Sequence, residues 1–195
     1  MDATNSSDSI QQYHDWYRKL WFLINSAVKD RYVLQLLEVS EKKIQSGSET
    51  NAMLPLSLIE HIAETTKQHF GLAMCKLYFD DGSEGNLQHF NAFIQTSLKS
   101  FNPSKVSFST MNKYDSIKNN LIELRKKYYA HLDVKDANVS IKVSDLGDAL
   151  HDLIHIFNQL CLQDIDNEIT PYSMEQLWLS GFKTSYELAL ILKGD

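Results

Sequence analysis

The chain has 195 residues, of which 43% are hydrophobic and 23% charged, and its net charge is −6. A chain of this length buries roughly 70% of its unfolded surface, which is enough for one domain with a hydrophobic core. The acidic balance argues against a general nucleic-acid-binding protein. No apolar run approaches the ~20 residues that cross a bilayer, and the polar start at Met1–Ser9 is not a secretory signal, so we expect a cytoplasmic protein with no membrane partner.

Helical spacing dominates the pattern of apolar residues. The chain has only three prolines and seven glycines, and we predict an all-α, single-domain bundle of about five to six helices with little or no strand. The polar residues Ser6–Asp8 can cap a first helix, whose apolar spacing continues from Ile10 to Ile44. That spacing fits one long helix, or two helices with a break near Asp30. A polar loop is predicted at 45–54.

Two more helices precede a break in the chain. The second is predicted at Ser57–Phe79 and the third at Leu87–Leu98, and the break falls at Asn102–Ser104. Cys75 and Cys161 both fall inside apolar helical patterns. We therefore expect two buried free thiols instead of a disulfide.

The C-terminal third continues the helical pattern. Ser144 is predicted to cap a fifth helix that runs to Cys161, and Pro171 opens a further helical segment. Alternating apolar residues at 106–108 and 139–143 predict extended segments there. The predicted organisation has three parts: a disordered N-terminal tail at 1–7, a helical bundle at 8–165, and a C-terminal helical extension at 166–195 that packs on the bundle.

The fourth helix, predicted at Asn112–Leu132, has two apolar edges. The first edge steps by three and four residues through Tyr114, Ile117, Leu121, Leu124 and Tyr128. The second edge runs beside it through Lys118, Ile122, Arg125, Tyr129 and Leu132. Such a helix either packs on both sides within one bundle, or uses one edge for the core and the other for a partner subunit. The sequence leaves both interpretations open.

Positive charge is concentrated around this helix. Residues 99–127 carry seven basic and two acidic side chains, a net charge of +5, whereas residues 1–98 carry −4 and residues 128–195 carry −7. A basic patch can attract a phosphate within the Debye length of ~8 Å even on an acidic protein. The alternative interpretation of the patch is an ordinary solvated helix face.

The side chains of Arg125 and His131 together can supply the chemistry that cleaves RNA without a metal. A guanidinium holds phosphate oxygens with a planar fork of donors, and an imidazole moves protons near neutral pH. At about 100° per residue, the two side chains project roughly 120° apart on a straight helix. They converge only if the arginine reaches around, the last turn loosens, or a second subunit contributes. In the alternative, Arg125 pairs with an acidic neighbour and His131 caps the helix.

The string Leu124–Asp133, which reads Leu-Arg-Lys-Lys-Tyr-Tyr-Ala-His-Leu-Asp, resembles the HEPN superfamily and, within it, the abortive-infection (AbiU-type) branch. The resemblance implies a helical bundle that dimerises, so that two Arg/His motifs meet in one cleft. The activity it implies is a metal-independent endoribonuclease of a toxin–antitoxin or phage-defence system, which cleaves RNA by 2′-hydroxyl transesterification.

The resemblance also implies roles for individual residues. Arg125 and His131 match the catalytic pair of the family, and Asp133 matches its trailing aspartate, which would orient His131 or hold Arg125. Tyr129 lies four residues after Arg125 on the same helix edge and is expected to support the site. The expected partners are a second copy of the chain, RNA or a nucleotide, and a cognate antitoxin or nucleotidyltransferase.

Three lysines of the basic patch are expected to bind RNA phosphates: Lys118, Lys126 and Lys127. Lys126 departs from the family pattern, since it stands where the family usually has Asn or another small polar residue. This departure keeps open an alternative function, a catalytically silent HEPN-like module that docks a partner protein, nucleotide or RNA.

No cofactor is expected, and no metal site. His151 and His155 have the i, i+4 spacing that can hold zinc, with Asp148 and Asp152 nearby. No third-ligand pattern accompanies them, so we interpret this stretch as a solvated polar face.

Overall fold

The computed structural model describes residues 3–46, 55–79, 86–130, 142–162, 165 and 183, with side chains described at all of these except 3–6, 41, 43, 44 and 127–130. The described residues form five α-helices, joined in part by short π- and 3₁₀-helical turns, and include no strand. The prediction of an all-α bundle is therefore confirmed. Among the helices within these ranges, none is both long and apolar enough to cross a membrane.

Helix α1, Ala3–Gln45, is the longest element. Its 43 residues extend about 65 Å at the usual helical rise. The helix is continuous through Asp30, so the structure has the single long helix and not the two-helix alternative. It begins before the predicted cap at Ser6–Asp8, and residues 3–7, predicted to form a tail, belong to its first turns.

Helix α2, Leu56–Met74, runs back along α1 and continues into a π-helical turn, Cys75–Phe79. Helix α3, Leu87–Ser97, begins after Asn86, whose Oδ1 accepts a hydrogen bond from the His89 N–H at 2.9 Å. This cap satisfies one of the N–H groups that every helix start leaves without an intrahelical partner. The predicted second and third helices are confirmed.

Two 3₁₀ turns, Lys99–Phe101 and Ser109–Tyr114, connect α3 to helix α4, Asp115–Ala130. Asn102 between them has a φ of 45°, in the left-handed region that Asn tolerates better than most residues, and it ends the first turn as predicted. Residues 106–108 are irregular and not a strand. The apolar alternation there arises because Val106 packs into the core, not from sheet pairing.

Helix α5, Val143–Leu160, follows α4. Two predictions at its start are wrong. Position 143, expected to be extended, is already helical because its side chain packs on the core, and residues 139–141 lie outside the described part. Ser144 does not cap the helix, and its hydroxyl instead donates to Asp145 Oδ1 at 3.2 Å. Within 166–195 the structure describes Lys183 alone, so the packing of the predicted extension remains a prediction.

The core lies between α1 and the inner faces of the other helices. The largest fully buried side chains include five aromatic residues: Tyr13, Phe70, Phe79, Phe90 and Phe157. The Tyr13 hydroxyl also accepts a hydrogen bond from the Leu162 N–H at 2.9 Å, which ties α1 to the end of α5. Both cysteines are free thiols as predicted; Cys75 is buried as expected, whereas Cys161 is only half-buried.

Two polar contacts join the middle of α1 to other helices. Asp30 Oδ2 lies 2.6 Å from His69 Nδ1 on α2, and Arg31 Nη1 donates to the Gly147 carbonyl on α5 at 3.0 Å. A Cβ at Gly147 would lie 2.8 Å from Arg31 Nε, so glycine makes room for the guanidinium. Burial raises the pKa of Asp30 above its ordinary value, and the contact with His69 partly offsets that rise.

Candidate functional site

Helix α4 is held in the bundle by its first edge. The residues of this edge whose side chains the structure describes are buried or half-buried: Tyr114, Ile117, Leu121 and Leu124. The second edge is partly covered, with Lys118, Ile122 and Arg125 each half-buried. Lys118 and Arg125 lie on the same edge, and a separation of seven residues places them about 10 Å apart along the helix axis. Lys118, a predicted phosphate-binding residue, and Arg125, the predicted catalytic arginine, therefore lie along one side of α4.

Close packing between α2 and α4 fixes the turn that carries Arg125. A Cβ at Gly71 would lie 2.8 Å from Leu124 Cδ2 and 3.4 Å from Leu121 Cδ2, so the two helices approach closely because Gly71 has no side chain. One turn later, the buried Cys75 thiol donates a hydrogen bond to the Leu121 carbonyl at 3.2 Å. These contacts anchor the C-terminal half of α4 to α2.

The Arg125 guanidinium is close enough to Cys75 to act on the thiol electrostatically. Burial raises the pKa of Cys75 to about 12, although the positive charge of Arg125 acts in the opposite direction. The effect of burial on the pKa is larger than that of Arg125, so the sulfur is protonated at neutral pH. Cys75 is therefore a neutral hydrogen-bond donor beside Arg125 and not a reactive thiolate.

The remaining predicted site residues are only partly within the described structure. Lys126 follows Arg125 on α4 and is exposed. Lys127 and Tyr129 belong to the last turns of α4, but their side chains lie outside the described part of the chain, as do His131 and Asp133 altogether. The meeting of the Arg125 and His131 side chains in one pocket therefore remains a prediction.

A cavity of about 450 Å³ lies at the opposite end of α4, where the second 3₁₀ turn faces α5. Its lining residues are mostly polar or charged: Lys113, Tyr114, Ser116, Ile117, Asp145, Asp148, His151 and Asp152. The sequence does contain a signal for this cluster, since Asp145, Asp148 and Asp152 recur at spacings of three and four residues on one face of α5. We predicted a solvated face for part of this stretch because the sequence does not reveal what α5 faces.

Asp152 is the centre of the contacts in this cavity. Its Oδ2 accepts a hydrogen bond from the Tyr114 hydroxyl at 3.0 Å and lies 2.9 Å from Lys113 Nζ. Burial acts to raise the pKa of Asp152, but the contacts with Lys113 and Tyr114 together outweigh it and lower that pKa. The hydrogen bond with Asp152 in turn raises the pKa of Lys113. With three carboxylates against one ammonium, the lining is unsuited to a phosphate.

The described residues contain no group of three or more His, Cys, Asp or Glu side chains able to hold a metal ion. His151 and His155 are both exposed on α5. His151 Nδ1 lies 3.8 Å from Asp152 Oδ1, which is too long for a hydrogen bond.

Comparison of the chain with known proteins leaves its family open. No protein-family model, no curated protein and no solved structure matches it.

Proposed function

We propose that this chain is a HEPN-like, metal-independent endoribonuclease of a toxin–antitoxin or phage-defence system, acting in the cytoplasm. The observation that carries the proposal is Arg125, which lies on the second edge of α4, is half-buried, and stands six positions before His131. The all-α bundle is compatible with the fold that the sequence resemblance implies.

The proposed reaction is an intramolecular phosphoryl transfer within the RNA. The 2′-oxygen attacks the adjacent phosphorus, the bond from phosphorus to the 5′-oxygen breaks, and the products carry a 2′,3′-cyclic phosphate and a 5′-hydroxyl. His131 takes the proton from the 2′-hydroxyl or gives one to the leaving 5′-oxygen, a role typically worth ~10²–10⁴-fold in rate. Arg125 stabilises the negative charge that builds on the phosphoryl oxygens.

The surroundings of Arg125 support an electrostatic role. A guanidinium stays charged at any working pH, and partial burial strengthens its field because less water screens it. Arg125 is half-buried on α4, so its charge is screened less by water than that of an exposed arginine. Lys118 on the same edge and the exposed Lys126 beside it would hold neighbouring phosphates.

A second copy of the chain would complete the cleft. On a straight helix the Arg125 and His131 side chains project roughly 120° apart, which disfavours a pocket built by one chain. An ideal helix would point His131 along the first edge, so in the proposed dimer His131 must turn from that direction to meet Arg125, which lies on the second edge of the other copy's α4. This edge is partly apolar at Ile122 and carries no acidic residue among its described members.

The test is RNA cleavage in the presence of EDTA. We expect the wild-type chain to cleave mixed RNA and to leave 2′,3′-cyclic phosphate ends, and Arg125→Ala and His131→Ala each to lower the rate by about 10²-fold or more. Lys99→Ala is the matched control, because Lys99 is an exposed cation of the same basic segment that lies outside α4. Intact RNA with the wild-type chain would rule out the nuclease.

The second candidate function is a catalytically silent HEPN-like module that binds RNA, a nucleotide or a partner protein. Lys126 favours it, because an exposed cation next to the half-buried Arg125 suits phosphate binding but departs from the small polar residue usual in the family. Such a module would retain RNA in a binding assay without cleaving it. Its affinity would fall for Arg125→Ala and would decrease with added salt.

A further inference from the structure

We infer that Cys75 is a positioning residue for Arg125, and that its thiol holds the turn of α4 from which the guanidinium reaches a phosphate. The inference rests on the proposed function, since it assigns Arg125 a ligand. Its basis is a contact between two helices that the sequence does not place together.

A single carbonyl links the two residues. The Cys75 Sγ donates to the Leu121 carbonyl at 3.2 Å. In an α-helix the same carbonyl also accepts the backbone N–H four residues later, which here belongs to Arg125. The thiol and the Arg125 backbone therefore share one acceptor, and a shift of α4 relative to α2 would have to disturb this contact.

The geometry of α2 brings the thiol to that carbonyl. Gly71 allows the close approach one turn earlier, because any Cβ there would lie 2.8 Å from Leu124 Cδ2. At Cys75 the α-helix changes to the π-helical turn Cys75–Phe79, whose residues Leu77 and Phe79 are buried in the core. Turns of this type recur at functional sites. Here the turn is anchored by its apolar side chains and keeps the sulfur fully buried against α4.

Cys161 provides an internal control. Its Sγ also donates to a backbone carbonyl, that of Phe157 at 3.3 Å, but this contact lies within one helix and joins no two elements. The two thiols thus make the same kind of hydrogen bond, and only the one from Cys75 bears on α4. Substituting each by Ser, which keeps a hydroxyl donor, and by Ala, which has none, isolates the effect of the donor.

The experiment is RNA cleavage by the four full-length variants, each checked for an intact thermal transition. Because small displacements of a positioned group mainly affect the transition state, we expect Cys75→Ala to lower kcat about tenfold with KM unchanged, and Cys75→Ser to stay within about twofold of wild type. Both Cys161 variants should stay near wild type. The inference is overturned if Cys75→Ser and Cys75→Ala have equal kcat. It is also overturned if the kcat values of the Ser and Ala variants of Cys161 differ as much as those of Cys75.

A second readout does not depend on catalysis. The Arg125 Nε–Hε resonance in ¹⁵N-resolved NMR, assigned with Arg125→Lys, reports the surroundings of the guanidinium directly. We expect Cys75→Ala to move this resonance and Cys161→Ala to leave it in place. If the wild-type chain fails to cleave RNA, the proposed nuclease function is wrong, but the NMR measurement still tests the role of Cys75. An Arg125 resonance that does not move in Cys75→Ala contradicts the inference.

Discussion

Replacing Gly71 with Ala tests the close packing of α2 on α4. In a helix interior Ala is favoured over Gly by about 0.5–1 kcal/mol. At Gly71 the new Cβ would lie 2.8 Å from Leu124 Cδ2 and 3.4 Å from Leu121 Cδ2, and overpacking of this kind typically costs ~1–3 kcal/mol. Leu124 is half-buried and can turn away, so the cost should fall in the lower part of that range. We expect a net loss of roughly 0.5–1.5 kcal/mol of unfolding free energy.

A double-mutant cycle makes this prediction decisive. Leu124→Ala removes the atom nearest to the new Cβ, so in that background Gly71→Ala should stabilise the protein by roughly the helix-propensity gain, about 0.5–1 kcal/mol. The measurement is urea unfolding followed by far-UV circular dichroism for the four proteins of the cycle. If Gly71→Ala stabilises the chain equally in both backgrounds, α2 and α4 do not approach as described.

Two further predictions concern groups with shifted pKa values. The lowered pKa of Asp152 means that its carboxylate contributes stability above its ordinary pKa of 3.8 and loses that contribution as the pH falls through the folded value. Asp152→Asn should therefore lower Tm at neutral pH, and the difference in Tm from the wild type should shrink below about pH 3.8. In a Lys113→Met background, Asp152→Asn should lower Tm by less. A difference in Tm that does not change with pH would contradict the pairing. The pKa of Cys75, about 12, predicts that in the native protein a thiol reagent modifies the half-buried Cys161 much faster than Cys75, and equal rates by mass spectrometry would contradict the burial.

The helical bundle could be predicted from the sequence because apolar spacing reports directly which face of a helix is buried. The continuity of α1 could not be predicted, because the apolar spacing fits one long helix and two helices equally well. The extended segments expected at 106–108 and 139–143 rest on short alternating apolar runs; the structure shows no strand at 106–108 and a helical residue at Val143. Short alternating apolar runs do not reveal whether a sheet or a helical core buries them.

In the candidate site too, features set by helical spacing could be predicted, whereas contacts between helices could not. The burial of Tyr114, Ile117 and Leu121 on the first edge follows from helical spacing and is confirmed, whereas the roles of Lys118 and Arg125 stay predictions. The contact of the Arg125 turn with Cys75 could not be predicted, because it joins residues on different helices through a carbonyl and a glycine contact. The cavity at Asp152 likewise depends on which surface α5 faces. The roles of His131 and Asp133 stay predictions.

The most direct test of the composite Arg/His cleft is activity in a mixture of two inactive variants. Arg125→Ala and His131→Ala are each expected to lower the rate of RNA cleavage in EDTA by about 10²-fold or more. After unfolding and refolding together, half of the dimers should be mixed, and the cleft of each mixed dimer should regain one of its two Arg/His pairs, with Arg125 from one copy and His131 from the other. We predict recovery of about a quarter of wild-type activity. A mixture that forms mixed dimers and still leaves RNA intact would contradict the account.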